Sequence, residues 1–70
     1  MVEKIIELTG TSTTSIEDAV SLAISRAAVT VSGIREATIT ETKALVEGGR
    51  VTGWKVALRV TFEVEDRLHE

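Results

Sequence analysis

The side chains that could do chemistry are few and scattered. From Thr9 to Ser15 the run TGTSTTS gathers hydroxyls around Gly10 just ahead of a helical pattern, a position where backbone N–H groups and the helix dipole can hold phosphate. It lacks the glycine spacing and the lysine of a P-loop, so helix capping accounts for it more simply. The single histidine, His69, is penultimate and has no partner in the sequence to hold it as a general base. Glu63, Glu65, Asp66 and Glu70 form an acidic end that could attract calcium, which favours several oxygen ligands. Their spacing is not that of an EF-hand, and alternate acids on a strand ordinarily make a solvated or interface face. Trp54 could stack on a planar ligand, yet it shares the parity of an apolar row, which predicts core packing. With neither Cys nor Tyr, and no nucleophile beside an activating base, the chain is not expected to be an enzyme.

Composition narrows the partners. Seventy residues make one domain, 1–70, with an ordered core expected over 1–66 and a tail at 67–70. A chain this short buries only about 60% of its unfolded surface. There are no cysteines for disulfides and no cluster for a structural metal, so self-assembly is the expected source of extra stability. A net charge of −3, with both signs interspersed, argues against nucleic acid. Neither a secretory signal nor an apolar run of membrane-spanning length is visible, which predicts a soluble, cytoplasmic protein.

The elements that must position these residues are strand, helix, strand, strand, an α+β domain. Val2 to Leu8 reads as a first strand with Val2, Ile6 and Leu8 on one side, Lys4 intruding there and Ile5 on the polar side. The TGTSTTS run reads as a turn, and either Thr14 with Glu17 or Ser15 with Asp18 has the spacing of a capping box. Apolar residues at Ile16, Ala19, Val20, Ala23, Ile24, Ala27 and Val31 mark one helical stripe, with Gly33 placed to end the helix as a C′ residue. Ile34 to Val46 reads as a second strand with Ala37, Ile39 and Leu45 on one parity, and Glu47-Gly48-Gly49-Arg50 as a tight turn. Val51 to Glu65 is the clearest strand. Its apolar row, Trp54, Val56, Leu58, Val60, Phe62 and Val64, predicts one buried face.

Length then decides something. A helix of about 24 Å cannot cover strands reaching roughly 45–50 Å, so the sheet must curl around it or its overhang must be covered by other subunits. The polar parity of the third strand, from Lys55 to Glu63, is the face available to such partners.

Three stretches, IIELTGTS from Ile5 to Ser12, SRAAVTV from Ser25 to Val31 and VTFEVED from Val60 to Asp66, resemble the dodecins. The resemblance spans nearly the whole chain, from Val2 to Asp66. It implies a β-α-β-β protomer whose three-stranded antiparallel sheet wraps one helix, and a hollow homododecamer of such protomers. It also implies paired flavins (riboflavin, FMN or FAD) at subunit junctions, between tryptophans of the second strand and beside a glutamine of the third, for storage rather than turnover. At those two positions this sequence has Glu36 and Lys55. A carboxylate offers no apolar face to an isoalloxazine, and an ammonium donates hydrogen bonds without accepting them. Trp54 cannot substitute for the missing ring, since adjacent strand residues point to opposite faces. Glu36 and Lys55 could instead pair with each other or with symmetry mates as a polar plug. Some members lacking the tryptophan are similar and are associated with calcium, which makes Glu36 and Glu41 the metal candidates. The expectation is a dodecamer that binds or stores a small molecule without the usual flavin stack, the alternative being a structural or calcium-binding shell.

Overall fold

The computed structural model describes residues 1–64. Its elements are β1 (Val2–Ser12), α1 (Ile16–Thr30), β2 (Ile34–Glu47) and β3 (Arg50–Val64), with strand order β1-β3-β2. Both neighbours pair antiparallel with the central β3. Gly48 and Gly49, at φ 60° and 77°, make the two-residue turn between β2 and β3. Positive φ at both positions matches the turn twist to the strands, which is why two glycines suit it.

β1 continues past Leu8 because Thr9 to Ser12 pair with Ala57 to Trp54, so half of the expected turn is strand. Gly10 is required there. A Cβ at this position would collide with the carbonyl oxygen of Ala19 and stand 2.9 Å from the Ala23 Cβ, so helix and sheet approach on its missing side chain. Ser15 is the N-cap, its Oγ accepting the Asp18 N–H at 2.9 Å. Ser12, 5% exposed, donates from Oγ to the Asp18 carboxylate at 2.6 Å and accepts the Thr14 N–H at 2.9 Å. The end of β1 is thereby tied to the first turn of α1.

Gly33 does not end the helix as a C′ residue. The cap is Val31, in extended conformation with its N–H on the Ala27 carbonyl at 2.9 Å. Gly33, at φ 79°, instead passes close to β3: its carbonyl accepts the Glu63 N–H at 2.9 Å, and a Cβ would lie 2.8 Å from the Glu63 oxygen.

The core consists of Ala19, Ala23, Val56, Leu58 and Val60. Only the middle of the β3 apolar row is therefore buried; Trp54, Phe62 and Val64 keep part of their surface in solvent. A helix of 15 residues spans about 22 Å, whereas a strand of 15 residues spans about 50 Å. Moreover, α1 packs over β1 and β3, leaving the same side of β2 uncovered. Ile39 there is 48% exposed. The radius of gyration is 15.0 Å, against about 11 Å for a compact domain of this length.

β2 is irregular in a way its sequence does not announce. Arg35 and Thr40 are extra residues on β2, and Thr52 is extra on β3. The Thr40 hydroxyl donates to the Ala57 carbonyl at 3.2 Å and the Thr52 hydroxyl to the Leu45 carbonyl at 3.3 Å, so each threonine bonds the disrupted ladder. The insertion at Thr40 reverses parity beyond it. Leu45, expected beside Ala37 and Ile39, pairs with Gly53 on the opposite face, and Thr42 takes its place on the helix side, opposite Val56.

Candidate functional site

The face of the sheet away from α1 carries the candidate ligand residues. Alternation about the buried Val56, Leu58 and Val60 sends Lys55, Ala57, Arg59, Thr61 and Glu63 of β3 to this outward face. The registers add Glu3, Ile5, Glu7, Thr9 and Thr11 from β1 and Glu36, Thr38, Glu41 and Lys43 from β2.

Glu36 and Lys55 share this face without meeting. Glu36 pairs with Thr61, six β3 positions from Lys55, or about 20 Å at the usual rise. The polar plug inside one chain is thus excluded by the register, leaving only a contact between copies. Glu41 lies opposite Ala57, about 13 Å along β3 from the Glu36 position. The two metal candidates cannot chelate one ion from a single chain, and no group of three metal-ligating side chains occurs among the described residues.

What the register does assemble is a basic corner. Lys55 is the direct partner of Lys43 on one side and of Thr11 on the other. Thr9, Glu41, Lys43, Lys55 and Ala57 line a shallow depression of ≈ 200 Å³. The Glu41 carboxylate reaches the Lys43 ammonium at 3.8 Å, but both are more than half exposed, so the pair adds little stability. Neither Glu36 nor Lys55 has an ion-pair partner within 4 Å among the described residues. Lys43 was not apparent as a site residue in the sequence, and only the register brings it opposite Lys55; Thr9, which the sequence offered only as part of the TGTSTTS run, lines the same depression from its place opposite Ala57.

The other sequence candidates fall elsewhere. Trp54 is half-buried on the helix side, between Ser12 and Ala44 in register. Around the start of α1 the Ser12 hydroxyl is engaged by the Asp18 carboxylate, an arrangement that caps the helix and places a negative charge where a phosphate would sit. Glu63 is on the outward face, bonded to Arg35 at 3.2 Å. Glu65, Asp66, Glu70 and His69 lie outside the described residues.

A model of the dodecin family matches residues 2–65. The chain belongs to the dodecin family. Solved dodecins share its fold: a single-site variant of the Thermus thermophilus dodecin is 31% identical, over 93% of this chain and 97% of that one, with a TM-score of 0.87. The Streptomyces coelicolor dodecin is 29% identical over 93% of both chains, with a TM-score of 0.87. A Mycobacterium tuberculosis protein described as a calcium-chelating immunodominant antigen, calcium dodecin, is 31% identical over 100% of both chains, with a TM-score of 0.80. No curated protein sequence matches the chain. The β-α-β-β order and three-stranded antiparallel sheet are those of the dodecin fold, and no helix among the described residues is long and apolar enough to cross a membrane.

The groups associated with dodecins fit this chain unequally. An exposed carboxylate at Glu36 and an exposed ammonium at Lys55 supply neither the stacking ring nor the donor–acceptor amide that an isoalloxazine needs. Glu36 and Glu41 are oxygen donors of the right chemistry for calcium, but they are too far apart in one protomer to form a site.

Proposed function

We propose that this dodecin assembles into a cytoplasmic homododecameric shell that binds or stores a small ligand without turning it over, and that its ligand is not held by the usual flavin stack. The observation that carries the assembly is the uncovered protomer: α1 buries only the middle of β3, β2 has no helix over it, and the radius of gyration exceeds that of a compact chain. Family membership supports ligand binding, and the residues at Glu36 and Lys55 argue against flavin stacking.

The test combines mass and fluorescence. Light scattering should give twelve times the protomer mass; a monomer would overturn the reading. Riboflavin fluorescence should be unquenched by micromolar parent protein and quenched by E36W/K55Q, which restores the ring and the amide. Quenching by the parent would reject the exclusion of flavin.

A second reading, an ion-binding shell, is favoured by the likeness to the calcium dodecin along the full length of both chains. It requires carboxylates from several copies, with Glu36 and Glu41 each repeated about a symmetry axis. Under this reading calcium raises the melting temperature of the parent and not of E36Q/E41Q. An unchanged melting temperature in the parent removes it.

A further inference from the structure

The outward face is electrically polarised along its length. At one end, among the described residues, Glu3, Glu36 and Glu63 lie near one side-chain cation of this face, Arg35, which reaches Glu63 at 3.2 Å. At the hairpin end Lys43 and Lys55 stand opposite each other with the Glu41 carboxylate beside Lys43, while Glu47 and Arg50, paired with each other next to the turn, add no net charge. Between the ends, Glu7 and Arg59 offset one another at 3.8 Å. The neighbouring Thr9, Thr38, Ala57 and Thr61 are short side chains that let another surface come close.

Like charges directly across a ladder are unfavourable, so the protomer's own stability does not account for the lysine pair. An acidic surplus and a basic surplus about 20 Å apart on one face are, however, complementary to the same face turned end for end. That is the requirement of a two-fold contact, in which one patch must fit itself.

We propose that the outward surfaces of two copies meet at a two-fold axis, with Lys43 and Lys55 of one copy against Glu36 and Glu63 of the partner subunit. The proposal rests on the self-assembly inferred above and names the contact that closes it. The position equivalent to the flavin-stacking ring then serves as half of an intersubunit ion pair. Electrostatic matching fixes the register of the two copies and rejects the parallel arrangement, which would oppose lysine to lysine.

The experiment compares the parent with E36K, K55E and E36K/K55E by light scattering and thermal melting at low and high salt. Each single reversal should lower the melting temperature of the assembly by about 5 °C or more, with protomers appearing on dilution. The double reversal should recover most of the loss, and the differences should shrink at high ionic strength. Far-UV circular dichroism of the four proteins separates a lost contact from a lost fold. E36Q, K55Q and E36Q/K55Q form a second cycle that introduces no repulsion and should show coupling of the same sign. Additive effects in a parent that is still dodecameric would overturn this contact alone, whereas a monomeric parent would remove the shell and the contact together. Stabilisation of the parent by inorganic pyrophosphate, lost in K55E, would assign the lysines to an anionic ligand and overturn the pairing.

Discussion

Gly10 and Ser12 show how single residues set the geometry of this domain. The helix lies directly on β1 because Gly10 has no side chain, with the Ala19 backbone occupying the space a Cβ would need. G10A must push helix and sheet apart, and overpacking of this kind costs about 1–3 kcal/mol. Urea unfolding should show that loss as a lower midpoint with an unchanged slope. Residue identity narrowed the cap to Thr14 or Ser15, since a hydroxyl followed three residues later by an acid is a local signal that both satisfy, and the Asp18 N–H on the Ser15 Oγ decides between them. It was insufficient for Lys43. Counting back from the Gly48-Gly49 turn without irregularities places Lys43 opposite Trp54, and only the extra residue at Thr52 moves it opposite Lys55. The basic corner is thus invisible to local reading, while the two halves of the polar plug, Glu36 and Lys55, were nameable from sequence but not their separation.

At the level of elements, the strands, the helix and the hairpin turn were all legible, because periodicity and glycine placement are local properties. Element ends were not. Thr9 to Ser12 have turn chemistry yet are held extended by Ala57 to Trp54, a case of tertiary pairing overriding local preference. Gly33 likewise answers to Glu63, a residue thirty positions away, rather than to the helix it follows. The β3 row was correctly assigned to one face, but alternation reports only the face, not how much of it a helix of about 22 Å can cover. On β2 the uncovered side is where assembly should be most sensitive. Because Ile39 is already 48% exposed in the protomer, I39D should leave the far-UV spectrum unchanged while reducing the particle mass in light scattering. Loss of secondary structure in that variant would mean that the strip contributes to protomer folding instead.

As a whole molecule the protomer is a slab of 60 × 19 × 12 Å rather than a globule. So thin a body has a small interior, and in the shell proposed above much of its stability would come from contact with other copies. Its melting temperature should therefore rise with protein concentration, as mass action requires of a folded state stabilised by association. A concentration-independent value under reversible conditions would assign the stability to the protomer itself. Charge acts at this scale too. The formal charge of −3 gives no hint that the outward face is divided into acidic and basic ends, because net charge sums what topology separates.

The irregular pairing of β2 bears on the interval before assembly. β2 is an edge strand of 14 residues, open on one side, and such an edge can template cross-β growth if its N–H and C=O groups run in an unbroken comb. Arg35 and Thr40 interrupt that comb at two places and increase the local twist. A protomer not yet part of the proposed shell is thereby a poor seed for edge-to-edge stacking, so the bulges that reposition its side chains also guard its solubility.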